Sequence, residues 1–576
     1  MKVLLQILPT DRPNFQLLQS PAMTSDSPAA ENSHRESSTG WPARVDLVIH
    51  ARGNSLAAVC VFAGFVWRIW LAHATFLNTD EAWHFTVANQ TSLSAAYKAS
   101  LTLAHPPLLI LTLYFWRQLG TSDLMLRLPG VMAGTLFCWV FYKWLLRIVG
   151  EAAAFTGLVF ACFLPPMVAL SAELRQYSLM LLFAVSAAYF LECALAEKSS
   201  KLMLASCGCL YMAMLSHYSA FLFAAALGLY AIVRLSGSRP GVAVTAIWAS
   251  GQVLGVALAA FLYKTHISKL GSIYPVQPLQ RFGDFYLSDW YFHPGRDHLL
   301  RFLYRGTFGV FRFIFGQTGV GQIAALLFLG AVVLLALSKV KLPSGISSRV
   351  VTIFLLAPFL VNWIAVVSGL YPYGRTRQCM FLAIFALTGV SVALARLDNN
   401  AISPAMVLAL MGVIICHLFG TLQGRDMLPM SEQRHEHMDL MVESLRKNVG
   451  TADLIFTDQA TSFQLRHYLC NQKPVIIERS SSGLETFRCE GFHVIFTGPN
   501  DGALTAQALE ERWLSSDGRV DQSPADHVWV LQGGWASGLG EELRRSSEFA
   551  HLEVHSFGRF LEVFELPQGA PCPPQG

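Results

Sequence analysis

Charge is what this 576-residue chain has least of. Asp, Glu, Lys and Arg make up 14% of it while 53% is hydrophobic, against about 25% charged residues in an ordinary soluble domain. A water-soluble globule is excluded, and the chain reads as a polytopic membrane protein. Cysteine is sparse in pattern rather than in number. Cys60, Cys138, Cys162, Cys193, Cys207, Cys209 and Cys416 lie inside apolar runs, where small buried side chains belong, and Cys207-x-Cys209 is not a zinc spacing in that setting. No P-loop, dinucleotide fingerprint or Ser-His-Asp signature occurs, and Gly533-Gly534 is a lone glycine pair. No early apolar core with a small-residue cleavage site occurs either, so the first membrane helix is expected to serve as an uncleaved signal. The net charge of +4 carries little information, and no nucleic-acid partner is expected.

What is present is a series of apolar runs of about twenty residues, the length of a membrane crossing. They are Leu56–Ala74, Leu124–Leu146, Ala152–Leu170, Tyr177–Ala194, Leu202–Ser216, Ala220–Val233, Val242–Tyr263, Thr318–Leu337, Val350–Leu370, Cys379–Leu394 and Ser403–Phe419. With the N-terminus inside, the cytoplasmic loops carry Lys143, Arg147, Lys198, Lys201, Arg234, Arg239, Lys339, Lys341, Arg349 and Arg396, as the positive-inside rule requires. The apolar segment His105–Leu119 would invert every later loop if it crossed. It is therefore expected to lie along the membrane face within a long first external loop. The expected fold is about eleven transmembrane helices with a C-terminal extracytoplasmic α/β domain.

Three regions follow. Residues 1–55, rich in Ser, Pro, Asn and charge, read as a disordered cytoplasmic tail. Residues 56–423 form the transmembrane domain and residues 424–576 a soluble domain. There, β-like runs (Asp453–Thr457, Pro474–Glu478, Phe492–Thr497, His527–Leu531, Phe560–Glu565) alternate with helix-like ones (His437–Lys447, Thr461–Leu469, Thr505–Trp513, Gly540–Arg545). Such alternation suggests a mostly parallel sheet. Cys470 and Cys489 could pair if this domain is extracytoplasmic.

The residues suited to chemistry gather on the predicted outer side. Asn78-Thr79-Asp80-Glu81 follows the first crossing directly. Two carboxylates there can serve as a general base, or Thr79 or Asp80 can cap a short helix Glu81–Ala88. His105-Pro106-Pro107 either starts a helix or holds a histidine near a phosphate. Glu173-Leu174-Arg175-Gln176-Tyr177 offers a second acid, or a local ion pair. Tyr373-Gly374-Arg375-Thr376-Arg377 places two Arg outside, against the usual charge bias, where a lipid phosphate or ordinary headgroups would meet them. His435-Glu436-His437 has metal-like spacing but sits in a polar linker without a further ligand.

In their order and spacing, Asp80-Glu81, His105-Pro106-Pro107-Leu108, Arg127-Leu128-Pro129-Gly130 and Glu173-x-Arg175-x-Tyr177 resemble the GT-C glycosyltransferases. The similarity is best over Leu56–Leu235. It points to the bacterial family-39 type, related to protein O-mannosyltransferases and lipid A aminoarabinose transferases. The resemblance implies a transferase of the bacterial inner membrane that takes a sugar from a polyprenyl-phosphate-linked donor, among membrane lipids, with inversion. Its acceptor would be a lipid, a polysaccharide or a protein. Asp80 would be the base, with Glu81 beside it and Glu173 from the second external loop. His105 would stand near the donor phosphate, and Arg175, Tyr177, His217, Tyr373, Arg375 and Arg377 complete the substrate-binding candidates. No cofactor and no obligatory metal is implied, which leaves a divalent cation open. The large inserted β-trefoil of the eukaryotic mannosyltransferases is missing, so a protein acceptor has no support here. The alternatives are a flippase for a lipid-linked sugar and a membrane-anchored binding protein. A flippase calls for polar residues throughout the spans or two interrupted halves, whereas here the ionisable residues cluster at one face.

Overall fold

A computed structural model describes residues 41–270, 287–338, 342, 345–397, 401–420, 434–470, 477–479, 484–497, 502–515, 527–533, 538–546, 549, 552–558 and 561–567. The start of the N-terminal tail, Lys339, Lys341, the boundary at Gly424, Gly534, Phe560 and most of Pro474–Glu478 fall outside them.

Among the described residues, eight helices are long and apolar enough to cross a membrane. A bent pair, Glu151–Phe163 and Pro165–Ala172, meets at 53° and makes a ninth when taken as one broken span. Two further expected crossings, Ser200–Ser216 and Ile402–Leu418, form apolar helices of 17 residues each. The doubtful segment near His105 folds as a nine-residue helix, Leu108–Trp116, and a single 3-10 turn. At 1.5 Å per residue that helix is less than half a bilayer long.

The expected tail is partly helical. Residues from Trp41 onward run into the first span, with a kink at Arg52. Asp46 holds this extension in place, its carboxylate accepting from the Ile402 and Ser403 amides at the start of another apolar helix.

The broken span has a local cause. Pro165 and Pro166 have no N–H, so the carbonyls four residues back, Ala161 and Cys162, lose their helical donors. Arg68, buried in the first span, supplies both: Nη2 donates to Ala161 O at 2.8 Å and Nη1 to Cys162 O at 3.0 Å. The bend ends at Glu173, the C-cap of the second half. Gly130 and Gly134 bring the Asp123–Ile148 helix against that half: a Cβ at Gly134 would collide with the Ser171 side chain, and one at Gly130 would press on the Glu173 and Ser171 carbonyls. Small residues four apart allow such close approach of membrane helices.

Among the described residues the C-terminal sheet has seven strands: β1 (Leu454–Thr457), β2 (Glu478–Arg479), β3 (Leu484–Cys489), β4 (Phe492–Thr497), β5 (His527–Gln532), β6 (Glu553–Ser556) and β7 (Glu562–Pro567). Their order is β2-β3-β4-β1-β5-β7-β6. Among the described residues only β1 pairs in parallel, with β4 and β5, with Ile455 opposite Val494 and Trp529. The four other pairings are antiparallel, so the sheet is mixed rather than mostly parallel. The two hairpin edges explain the difference. β3 and β6 alternate too weakly to be read as strands, and β6 is largely exposed.

Alternation in the central strands builds two cores. Ile455, Val494, Phe496, Trp529 and Leu531 face the helices His435–Asn448 and Gln459–Tyr468, while Leu454, Phe456, Ile495 and Val528 face the opposite side. Cys470 and Cys489 form a disulfide. Phe76, from just beyond the first span, is buried in the first of these cores beside Met438 and Leu465. The two domains therefore share hydrophobic packing.

Candidate active site

The acidic pair opens the helix Thr79–Ala88, called the acidic helix below. Its cap is Asn78, not Thr79 or Asp80. Asn78 Oδ1 accepts from the Glu81 amide at 3.0 Å, and Glu81 Oε2 accepts from the Asn78 amide at 2.9 Å. This reciprocal capping box satisfies two donors at once.

Glu81 is consumed by structure. It is wholly buried, and besides the cap it accepts from Arg127 Nε and Nη2 at 2.7 Å each and from the Leu174 amide at 2.7 Å. Arg127 goes on to Ala72 O and Phe76 O at the end of the first span, the usual use of a cation at a helix C-terminus. The sequence reading placed Glu81 in the catalytic set. With its oxygens fully engaged, it holds the acidic helix instead.

Asp80 points the other way. Its carboxylate is 30% exposed and lies 3.0 Å from Arg175 Nη1. Burial pushes its pKa up, but Arg175 first and then Arg377 and His84 outweigh burial, leaving it below the usual value. Glu173 lies behind, 3.2 Å from Arg377 Nη1. Burial dominates there and lifts Glu173 above the usual value, with Arg377 opposing. Two carboxylates whose pKa values are pushed apart is a recurring sign of divided acid–base roles.

Three imidazoles line up beside this pair. The ring centres of His84 and His105 are 6.0 Å apart, those of His105 and His217 are 5.4 Å apart, and Tyr177 lies 5.1 Å from His217. Arg175 stands 5.8 Å over the Tyr177 ring. Burial pushes His84 down to about 4 and His217 to about 3, Arg175 adding to both. His105 falls well below its ordinary value, again from burial first, then His217 and Arg175. The file is neutral at physiological pH. His84 Nδ1 donates to Asp80 O at 2.6 Å, which leaves Nε2 as an acceptor.

Several buried polar atoms here find no hydrogen-bond partner among the described residues: Arg175 Nε, both amide atoms of Gln176, His84 Nε2 and His105 Nδ1. Buried polar groups are nearly always satisfied, so such a concentration calls for a polar ligand or ordered water.

The Tyr371–Gln378 loop is fixed by Trp290, whose carbonyl accepts from the Tyr373 amide at 2.8 Å. Gly374, at φ +151°, lies against the Trp290 ring where a Cβ has no room. Tyr373 is buried, and its hydroxyl meets Thr307 Oγ1 at 2.7 Å. It packs the loop rather than facing substrate, which corrects its place among the binding candidates. Arg377 reaches Glu173, and the Arg375 backbone lies close against Gly309. His84, Gln176 and Arg127 were missed as site residues. A signal existed for His84, which stands four residues after Asp80 and so one turn along the same helix face. His435 joins Asp123 at 3.3 Å and Asp439 at 2.9 Å rather than a metal pair with His437. Among the described residues, no group of three or more His, Cys, Asp or Glu is arranged to hold a metal ion.

Residues 104–263 match the family model described as dolichyl-phosphate-mannose-protein mannosyltransferase. That span includes His105, Glu173, Arg175, Tyr177 and His217 and overlaps the motif resemblance as far as Leu235, while Asp80 and Glu81 lie before it. No curated protein matches the chain. Among solved structures, ArnT from Cupriavidus metallidurans in the apo state is 14% identical, covers 90% of this chain and 98% of its own, and has a TM-score of 0.49. The same protein bound to undecaprenyl phosphate is 13% identical, with 89% and 98% covered and a TM-score of 0.46. The Archaeoglobus fulgidus oligosaccharyltransferase tethered with an acceptor peptide is 11% identical, with 82% and 69% covered and a TM-score of 0.42.

Proposed function

We propose that this protein is a membrane glycosyltransferase that moves a sugar from a polyprenyl-phosphate carrier to an acceptor hydroxyl or amine on the extracytoplasmic face. The observation that carries the reading is the partly open Asp80 carboxylate paired to Arg175, among buried polar atoms that find no partner among the described residues. Asp80 is ionised at neutral pH and takes the acceptor proton as the acceptor atom attacks the anomeric carbon. The bond from that carbon to the phosphate oxygen breaks, and the lipid phosphate leaves with the electron pair, with inversion. Arg175 and Arg377 are placed to offset the charge that develops on it.

Arg175 has a double use in this scheme. A phosphate that draws the guanidinium from Asp80 removes the main influence lowering the Asp80 pKa. Donor binding would then make Asp80 a stronger base in the complex than in the free protein. The neutral His84 and His105 suit sugar hydroxyls better than phosphate charge.

Two observations favour the outer face and transfer over transport. The Cys470–Cys489 disulfide belongs to an oxidising compartment. The intramembrane ionisable groups Arg68 and Glu192 are engaged by internal partners, Glu192 accepting from Tyr230 and Arg234, so neither marks a polar path for a headgroup.

The test is transfer from a panel of radiolabelled polyprenyl-phosphate sugars, comparing wild type with Asp80→Asn. Loss of about 10²–10⁴-fold in rate, with the variant still folded, is expected. Unchanged turnover removes Asp80 from the mechanism.

A further inference from the structure

Leu77 gives both of its backbone polar groups to the soluble domain. Its N–H donates to Tyr468 Oη at 2.8 Å, and its carbonyl accepts from Gln464 Nε2 at 3.0 Å. Both partners stand on one helix, Gln459–Tyr468, called the docking helix below. The residue after Leu77 is Asn78, the cap of the acidic helix, and Asp80 lies in that helix's first turn.

Side chains reinforce the grip. Trp83 of the acidic helix stacks on Phe463 of the docking helix, centroids 5.7 Å apart at 10°. Phe85 meets the His467 ring edge-on at 5.2 Å. The Tyr468 hydroxyl donates to Asp123 Oδ2 at 2.5 Å, and His467 Nε2 lies 2.7 Å from Asp123 Oδ1. Asp123 begins the membrane helix that also carries Arg127. The entry to the acidic helix is thus clamped from two sides. Arg127 holds Phe76 O and Glu81 from the membrane side, and Gln464 and Tyr468 hold Leu77 from the other.

We propose that Gln464 and Tyr468 are positioning residues for Asp80, so that the soluble domain forms the back wall of the active site. The proposal rests on Asp80 being the base. Helix ends open more readily than helix centres, and Asp80 lies in a first turn. A displacement of about 1 Å at a reacting group costs on the order of 10²-fold in rate, so a loosened first turn matters even when the fold survives.

The test uses the full-length protein in detergent, with Tyr468→Phe and Gln464→Met. The second variant removes a single donor at similar volume and guards against misfolding of the first. Two quantities are read: hydrogen exchange of the amides of residues 77–88, and the steady-state constants for transfer. Exchange faster by about tenfold in that segment alone, with kcat down about tenfold and the donor KM within about twofold, is expected. Exchange that stays slow in both variants overturns the clamp. Fast exchange with unchanged kcat overturns the positioning of Asp80. A wild type that transfers no sugar sinks the functional reading and with it the positioning role, while the exchange data show separately whether the clamp exists.

Discussion

Arg127 and Glu81 meet through two parallel hydrogen bonds of 2.7 Å, with both side chains out of solvent. An exposed pair of this kind contributes little to stability. Buried, each charge depends on the other. Because Arg127 also binds carbonyls of the first span and Glu81 also accepts from Asn78 and Leu174, this pair fastens three segments together. Asp80, one residue away, keeps its carboxylate free to meet Arg175 at a partly open surface.

Neighbouring carboxylates should therefore fail differently. Glu81→Ala leaves Arg127 buried without its counter-charge and is expected to cost about 3–5 kcal/mol of stability. Asp80→Asn weakens only the partly open pair with Arg175 and should lower the thermal midpoint by much less. Thermal unfolding of both variants in one detergent decides the matter, and equal midpoints would contradict the division of roles.

The two site carboxylates should also separate with pH. Arg175 and Arg377 outweigh burial at Asp80 and hold it below the usual range. Its pairing therefore stabilises the fold above the ordinary carboxylate pKa and is lost as pH falls through the lower folded value. Burial holds Glu173 above the usual range, so the fold favours its protonated form, and ionising it costs stability as pH rises. If transfer needs both ionised, the acid limb of the rate profile follows Glu173. In Glu173→Gln that limb should move to lower pH, on a reduced plateau. A limb that stays in place assigns it to another group.

Arg68 offers a test of the bend. Arg68→Met leaves Cys162 O without its donor and Ala161 O with only the weak Cys138 Sγ contact at 3.3 Å, at about 1–3 kcal/mol for a carbonyl left unsatisfied. Arg68→Lys, which keeps a donor, should recover part of the loss in thermal unfolding. A Met variant as stable as wild type would mean that the prolines' orphaned carbonyls find other partners.

The contact between the domains should weaken in alkali. The Asp123 hydrogen bond, against burial and with help from Asp439, pushes His435 up to about 9. A raised folded value means stabilisation that is complete below the ordinary histidine pKa of about 6.5 and is lost as pH rises through about 9. Limited proteolysis between the domains should accelerate across that window in wild type and stay flat in His435→Gln. His467, Tyr468 and Arg127 also face Asp123, so a wild type indifferent to pH would show that they hold the contact without His435.

Much of this was legible in the linear sequence because membrane spans and charged loops are local signals. Asp80, Glu173, Arg175 and Arg377 could each be picked out by their position at the ends of apolar runs. The resemblance put the base on Asp80 with Glu81 beside it, but that Glu81 is shut in the interior could not be read, since the two differ by one step around a helix and their partners come from elsewhere. Arg127 was visible in its motif, but its role depends on Glu81, 46 residues earlier. Tyr373 read as a ligand because an exposed loop and a buried one have the same letters. The docking contact was the hardest to see, since Leu77 and Tyr468 are separated by 391 residues.

The position of Phe76 has a consequence for biogenesis. This ring leaves the membrane with the first span, yet the core that covers it is made from Met438, Leu465 and their neighbours, which emerge from the ribosome far later. Until the last domain is made and folded, Phe76 lacks that cover and the segment leading to Asp80 lacks half its support. Catalytic competence would then arrive only with the finished chain, and a truncated product would remain a silent membrane protein.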